Sequence, residues 1–176
     1  AAAAIIAIVL GSAWFVWDQI KPPDFDTVVH APQSPAEYYR MKVDSGFKPS
    51  WKCENDAEFA ASFNTQFGQP LLLRALPLGV AAGGIDYCNT LTPTSVGLLG
   101  NVNDKKVIVI VDKLANDKPL DVPPQSGLHL FRREIGNLVA YEVTPLDRAS
   151  VVDFLYVPER VPPPPVPPAE AEVENG

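Results

Sequence analysis

Cysteine and histidine are scarce in this chain, which has 2 of each among its 176 residues. Metal sites built from these residues need ligands grouped at short, regular spacings, and neither type is grouped in that way here. The sequence therefore excludes a zinc knuckle and a redox Cys-x-x-Cys pair. We expect no metal and no cofactor.

The two cysteines, Cys53 and Cys88, leave two alternatives open. In an extracytoplasmic domain an even pair can form one disulfide, which would close a loop of about 35 residues and stabilise the fold by roughly 3 to 4 kcal/mol. The other alternative is two buried free thiols. The spacing in the sequence does not decide between them.

Basic residues are in the minority, because 14 Lys and Arg are set against 21 Asp and Glu, for a formal net charge of −7. This balance disfavours binding to nucleic acid or to an anionic membrane surface. The sequence also lacks a phosphate-binding glycine loop and any grouped nucleophile and base. We therefore expect a protein that is not an enzyme, with other proteins as partners and no recognised small-molecule substrate.

Charge is absent from the first seventeen residues, which form the long hydrophobic run AAAAIIAIVLGSAWFVW before Asp18. Residues 1–20 are long enough to cross a bilayer as a helix, since the hydrocarbon core takes roughly 20 helical residues. Trp14 and Trp17 would lie at the membrane interface, where indole rings are enriched. A cleaved signal peptide is the main alternative, but bulky residues fill the place of a small-residue cleavage site.

Small residues recur every four positions in this run, at Ala3, Ala7 and Gly11. Such a stripe allows a second membrane helix to approach closely, although alanine is also simply common here. Residues 21–34 then form an extended, Pro-containing spacer that carries more acid than base. Because cytoplasmic flanks usually carry excess Lys and Arg, we expect the following domain to be periplasmic or otherwise extracytoplasmic.

Residues 35–159 predict one α+β domain, with a mainly antiparallel sheet covered by one or two helices. "SPAEYYRMKVDSG" has the capping box of a short helix, with Tyr39 and Val43 on its inner face. "NDAEFAASFNTQFGQP" predicts a second helix, which ends at Gly68 and carries an apolar stripe of Phe59, Phe63 and Phe67. We expect this stripe to cover the core.

From Leu71 onward the hydrophobic period changes to two, which predicts strands. Turns are expected at Asn103–Asp104 and Gly136–Asn137, and the run Val107–Val111 is apolar on both faces, as in a central strand. The predicted strands are Leu71–Leu76, Gly84–Asn89, Val96–Val102, Lys106–Asp112, Leu128–Glu134, Leu138–Thr144 and Val152–Val157.

Residues 160–176, "RVPPPPVPPAEAEVENG", form an acidic, Pro-rich extended tail that cannot pack a core. Its prolines Pro162, Pro163, Pro164 and Pro165 are candidates for docking along a partner surface. Arg132 and Arg133 are a second docking candidate, because they form a charge cluster near a hairpin end; the alternative is an ordinary solvated cluster.

Three stretches between Cys53 and Pro158 carry a resemblance: "FNTQFGQPLLL", "GGIDYCNTLTPTSVGLLGNVNDKKVIVIVD" and "LHLFRRE" with "LVAYEV". They resemble the extracytoplasmic sensor-like domains that one membrane helix attaches to bacterial anti-sigma factors. Those proteins carry a sigma-binding domain before the membrane helix. The resemblance concerns the extracytoplasmic part alone and implies a helix followed by a sheet.

Taken together, these patterns indicate a single-pass, membrane-anchored accessory subunit that stabilises a larger membrane protein complex, for example a respiratory or photosynthetic one. Its partners would be the lipid bilayer and other membrane subunits. The alternative, which the resemblance implies, is a membrane-tethered regulator of the anti-sigma type that responds to redox state or to a ligand.

Overall fold

The computed structural model describes residues 33–160, which form two helices around a central antiparallel sheet. The α+β class and the mainly antiparallel sheet predicted from the sequence are therefore confirmed. No helix within residues 33–160 has the length and hydropathy needed to cross a membrane. The elements are α1 (Pro35–Asp44), α2 (Asp56–Phe67), β1 (Leu72–Leu73), β2 (Val80–Cys88), β3 (Ser95–Val102), β4 (Lys105–Lys113), β5 (His129–Ile135), β6 (Leu138–Thr144) and β7 (Leu155–Tyr156).

Five strands form the main sheet in the order β2-β3-β4-β6-β5, and every neighbouring pair is antiparallel. The shorter strands β1 and β7 pair separately. The predicted strands all occur, but the first and last shrink to two residues each and β2 begins earlier than expected.

Two-residue turns close the hairpins: Asn103 and Asp104 have φ of 45° and 67°, and Gly136 has φ of 61°.

Strand β4 is central, as predicted, and residues 107–111 are fully buried. Helix α2 covers one face with Phe59, Phe63 and Phe67, so the predicted aromatic stripe is confirmed. The opposite face is also covered, by Tyr38 of α1, by Phe47 and by apolar side chains of the segment between β4 and β5. The sheet thus lies between two cores.

Helix α1 begins with the predicted capping box, in which Ser34 and Glu37 bond each other's backbone amides. Its predicted inner face is wrong for Val43, whereas Tyr39 packs partly buried against the core on this side of the sheet. Tyr38 and Lys42 are buried, whereas Val43 is exposed and Tyr39 is only half-buried. On this face Ala36 and Tyr38 are buried in the core, and the ammonium group of Lys42 pairs with the buried carboxylate of Asp86 on β2.

Glu142 on β6 is fully buried and ties the segment before β7 to the sheet. Its carboxylate accepts hydrogen bonds from the backbone amides of Ser150 at 2.8 Å, Val151 at 2.8 Å and Val152 at 2.7 Å. Burial raises the pKa of Glu142, while the three amides act in the opposite direction. The carboxylate satisfies donors that would otherwise be buried without partners.

Glu142→Gln should therefore lower the free energy of unfolding by about 2 to 4 kcal/mol, because an amide nitrogen would face one of these backbone donors. The measurement is thermal or urea unfolding followed by circular dichroism. The matched control is Glu159→Gln, at an exposed position. Equal stability of the two variants would contradict this role of Glu142.

Candidate docking surface on the outer edge of strand β2

Strand β2 forms one edge of the main sheet, and only part of its outer side is paired within residues 33–160. The backbone N–H and C=O of Ile85 bond Trp51 at 2.7 and 3.0 Å. The crossing chain lies so close to Gly84 that a β-carbon there would be 2.5 Å from the Trp51 carbonyl oxygen. Trp51 therefore ends the free part of the edge, which is the stretch Val80–Gly83. At the other end of this stretch the amide of Val80 donates a hydrogen bond at 3.1 Å to the carbonyl of Pro77 in the preceding turn, so this donor is already used.

The free part of this edge belongs to a ten-residue stretch without charge, LPLGVAAGGI, from Leu76 to Ile85. Ala81 and Ala82 are exposed, and the side chain of Leu78, in the turn before the strand, is completely exposed at 102%. Exposed edges of sheets usually carry charged residues or prolines that discourage pairing with another chain. Val80–Gly83 has neither, although a bulge lies between Ala82 and Gly84.

The opposite edge of the sheet, strand β5, does carry charged residues. It carries His129, Arg132, Arg133 and Glu134 within seven residues, all but Arg133 exposed. Charges of this kind oppose strand addition. The two edges of one sheet therefore differ in their capacity to pair with another strand.

A cleft with a volume of about 410 Å³ lies beside the free edge, between β2 and the beginning of α2. Its apolar lining includes Phe59, Leu73 and Leu98, and its rim carries Lys52, Glu54 and Asp56. We call the free edge Val80–Gly83, the exposed turn at Leu78 and this cleft the β2 docking surface. It offers backbone hydrogen-bonding groups, apolar area and a slight excess of negative charge.

The start of α2 supplies no vacant anion site to this cleft. The side chain of Asn55 accepts a hydrogen bond from the amide of Glu58 at 3.0 Å, and the carboxylate of Glu58 accepts one from the amide of Glu54 at 2.9 Å. The chain thus satisfies these donors itself, and Asp56 adds further negative charge at the rim. The cleft does not favour an acidic ligand.

The disulfide considered for Cys53 and Cys88 does not form, because both residues are free thiols. Cys53 is half-buried at the cleft and packs against the α2 core, whereas Cys88 is buried in the core on the other face of the sheet. The sheet therefore separates them. Burial raises the pKa of Cys53 and raises that of Cys88 to about 12, so neither thiol is activated as a nucleophile.

A buried polar cluster centred on Asp86 joins α1 to β2. The carboxylate of Asp86 pairs with Lys42 and accepts hydrogen bonds from the hydroxyls of Ser50 and Tyr38, the latter at 3.4 Å. Burial is the main reason that the pKa of Tyr38 is raised. Gly97 lies directly beneath Tyr38, where a β-carbon would come within 2.5 Å of the hydroxyl oxygen. Every group in this cluster bonds another group of the same chain.

A second buried carboxylate, Asp112 at the end of β4, is also bonded by its own chain. It accepts hydrogen bonds from Thr92 at 2.7 Å, Ser95 at 2.6 Å and Asn116 at 2.7 Å. These contacts hold the β2–β3 connection against β4.

Arg132 and Arg133, the predicted charge cluster, point to opposite faces and bond different partners. Arg132 bonds Asp117 and Glu134, each at 2.6 Å. Arg133 donates to the backbone carbonyl of Val152 at 2.8 Å. Their donors are thus used within the chain, and whether they also contact another protein stays a prediction.

The remaining predicted sites lie outside the described residues. These are the helix-packing stripe Ala3, Ala7 and Gly11, the interfacial Trp14 and Trp17, and the tail prolines Pro162, Pro163, Pro164 and Pro165. The membrane anchor and the tail therefore stay predictions.

The sequence analysis did not predict the β2 docking surface, although the sequence contains one indication of it. The stretch Leu76–Ile85 is uncharged, and its last two residues belong to a predicted strand. What the sequence could not show is that β2 lies at an edge, since strand order depends on which strands pair.

A comparison with models of protein families, with curated proteins and with solved structures finds no match to this chain. The resemblance to anti-sigma-factor domains accordingly stays a prediction.

The two thiols should differ in reactivity with a maleimide at neutral pH. Cys53 should be modified slowly in the native protein, and Cys88 at least about a hundredfold more slowly, because its modification requires local unfolding. Peptide mass spectrometry after labelling measures both rates, and Cys88→Ser is the control for assignment. A disulfide-linked peptide containing Cys53 and Cys88 from unreduced protein would contradict the structure.

The contacts of Asp117 predict an acid-sensitive contribution to stability. Hydrogen bonds from Arg132 and then from Tyr141 lower the pKa of Asp117 below its usual range. A lowered pKa in the folded state stabilises it above the ordinary carboxyl pKa, and this contribution is lost as pH falls through the lowered value. Asp117→Asn should therefore show a smaller loss of stability between neutral pH and about pH 3. The check is thermal unfolding as a function of pH, with Asp121→Asn as the control.

Proposed function

We propose that this chain is a membrane-anchored accessory subunit, not an enzyme, that stabilises a larger membrane protein complex by binding partner proteins through its folded domain. The observation that carries the proposal is the β2 docking surface. An uncharged strand edge is a surface that soluble proteins normally protect, and here it lies next to a cleft that has both apolar and charged lining residues, which marks a candidate interaction site.

The chemistry of the surface defines how a partner would bind. An extended segment can add to this edge at Ala82 and at the Val80 carbonyl through main-chain hydrogen bonds, since the Val80 amide is already bonded to Pro77, while its side chains enter the neighbouring cleft. Main-chain pairing supplies affinity and the cleft supplies selectivity. Such an interface can be small, because a membrane anchor at residues 1–20 would hold both partners at high effective concentration.

The buried polar groups are hydrogen-bonded within the chain, which supports a structural role for them. Asp86, Asp112 and Glu142 accept hydrogen bonds from donors of their own chain. Such fully bonded carboxylates specify how the covering segments sit on the sheet. The redox version of the regulator hypothesis would need Cys53 and Cys88 to meet, and the sheet lies between them.

Ala82→Arg should weaken the association with partner proteins by about tenfold or more, because it places a charge where a strand would add. The chain would be extracted in mild detergent through an affinity tag, and stoichiometric partners would be quantified by mass spectrometry. The matched control is His129→Arg, which adds the same charge at the exposed opposite edge. Removing residues 160–176 should weaken the association as well.

The folded state of each variant is checked by circular dichroism, since Ala82 is exposed and its replacement leaves the cores intact. A wild-type chain that elutes without any bound protein in several mild detergents would overturn the proposal. Equal retention of partners by Ala82→Arg and His129→Arg would show that the β2 docking surface is not the site used.

A further inference from the structure

We infer that the Pro-rich tail of this chain folds back on its own domain and binds a groove beside Trp51, on the side of the sheet that α2 covers. This inference goes beyond the proposed function and does not depend on it. It is carried by the exposed indole of Trp51, by the uncharged outer face of α2 and by the order of uncharged and acidic residues in the tail.

Trp51 is 46% exposed, and it is the only aromatic residue among the exposed large apolar residues of the stretch 33–160. Two hydrogen bonds with Ile85 fix its backbone. Its side chain and that of Tyr87 flank a small groove, which Gln66 of α2 also lines. We call this the Trp51 groove. Tryptophan and tyrosine are enriched among the residues that contribute most to binding energies, so this groove is suited to a ligand.

The tail has the chemistry that such a groove recognises. Residues 161–168, VPPPPVPP, favour a polyproline II helix, whose backbone carbonyls have no internal hydrogen-bond partners. Segments of this kind are pre-formed and dock against aromatic side chains at a low entropic cost. Within residues 33–160 the indole N–H of Trp51 makes no hydrogen bond, so it is available to one of the tail carbonyls.

The tail also begins within reach of the groove. Strand β7 is antiparallel to β1, with Tyr156 opposite Leu72, so the residues after β7 run toward the end of α2 at Phe67. Gln66 at the groove belongs to the last turn of the same helix. Helix α2 has 12 residues and is about 18 Å long, whereas residues 161–169 span about 28 Å as polyproline II. The tail is therefore long enough to cross α2.

The outer face of α2 carries no charge along this route. Ala61, Asn64 and Thr65 are exposed, and the acidic residues of the helix lie in its first turn. The solvent-facing side of a surface helix is normally polar and often charged. An uncharged face suits residues 161–169, which are uncharged as well.

The acidic end of the tail then comes close to basic residues. Glu170–Glu174 contains three glutamates and directly follows the uncharged part of the tail. Lys48 and Lys52 flank Trp51 in the sequence, are exposed and form no ion pair within residues 33–160. The tail, uncharged first and acidic afterwards, therefore matches the surface, where the uncharged helix face is followed by lysines.

Attachment to the same chain favours this tail over the tail of another copy. A tethered segment is present at an effective concentration on the order of millimolar, which suffices for weak contacts. A second copy with a net charge of −7 would have to approach against repulsion. The cleft contacts β2 up to Ile85 and the Trp51 groove contacts it from Ile85 onward. The bound tail thus borders the β2 docking surface and leaves it open.

The test uses Trp51 as the only fluorophore of its kind in the purified full chain. Trp14→Phe and Trp17→Phe remove the other tryptophans. Replacing Pro162–Pro165 with serine should raise the acrylamide quenching constant of Trp51 about twofold or more, because a flexible tail no longer covers the indole. The control is Pro124→Ser, at an exposed proline of the segment between β4 and β5.

Two results would overturn the inference. One is an unchanged quenching constant in the serine variant, with an intact circular dichroism spectrum. The other is a wild-type quenching constant that rises on dilution, which would show that the tail of another copy covers Trp51. Neither result bears on the proposed function, whose test measures bound partner proteins.

A disulfide tests the route over α2. In a Cys53→Ser background, Pro165→Cys and Thr65→Cys should form a bond within one chain, at a rate that does not depend on protein concentration. Mild oxidation followed by peptide mass spectrometry measures this rate. Cys88 is left in place because it is buried. Disulfides that form only between chains would contradict binding of the tail to its own domain.

Charge reversal separates binding of the tail from mere proximity. Lys48→Glu together with Lys52→Glu should slow formation of this disulfide about threefold or more at low salt, because both new carboxylates repel Glu170–Glu174. The matched control is Lys105→Glu, an exposed lysine on β4. Equal rates in the two charge variants would contradict pairing of the acidic end with these lysines.

Discussion

Both faces of strand β4 are buried, and this requirement sets the arrangement of the elements around it. Residues 107–111 are uncharged aliphatic side chains and are fully buried. Such a strand is stable only if both faces of its sheet are covered, so one helix cannot suffice. Helix α2 covers one face, and α1 together with the β4–β5 segment covers the other. Strand β4 pairs with β3 on one side and with β6 on the other, and β2 and β5 pair with these strands and form the edges.

The buried carboxylates show how the covering segments are held in place. Asp86 joins α1 to β2, Asp112 holds the β2–β3 connection, and Glu142 holds the segment before β7. Hydrophobic packing alone would tolerate several arrangements of these segments. A buried carboxylate with defined donors is satisfied in one arrangement only, which makes the fold specific.

The contrast between the two edges connects the fold to function. Strand β5 carries charges that are bonded to neighbouring side chains, whereas the free part of β2 presents backbone and small apolar residues next to a cleft. In a chain with a net charge of −7, an uncharged surface is where another protein can approach without repulsion. The docking function that we propose follows from this difference.

The local elements of this protein are specified by short-range patterns in its sequence. The caps at Ser34 and Asn55, the stripe of α2 and the turn at Asn103–Asp104 depend on near neighbours, so their signals lie within a few residues. Long-range contacts, in contrast, set the inner face of α1, the separation of Cys53 from Cys88 and the edge position of β2. Each depends on distant partners, such as Asp86 for Lys42, and no local pattern records which strands pair.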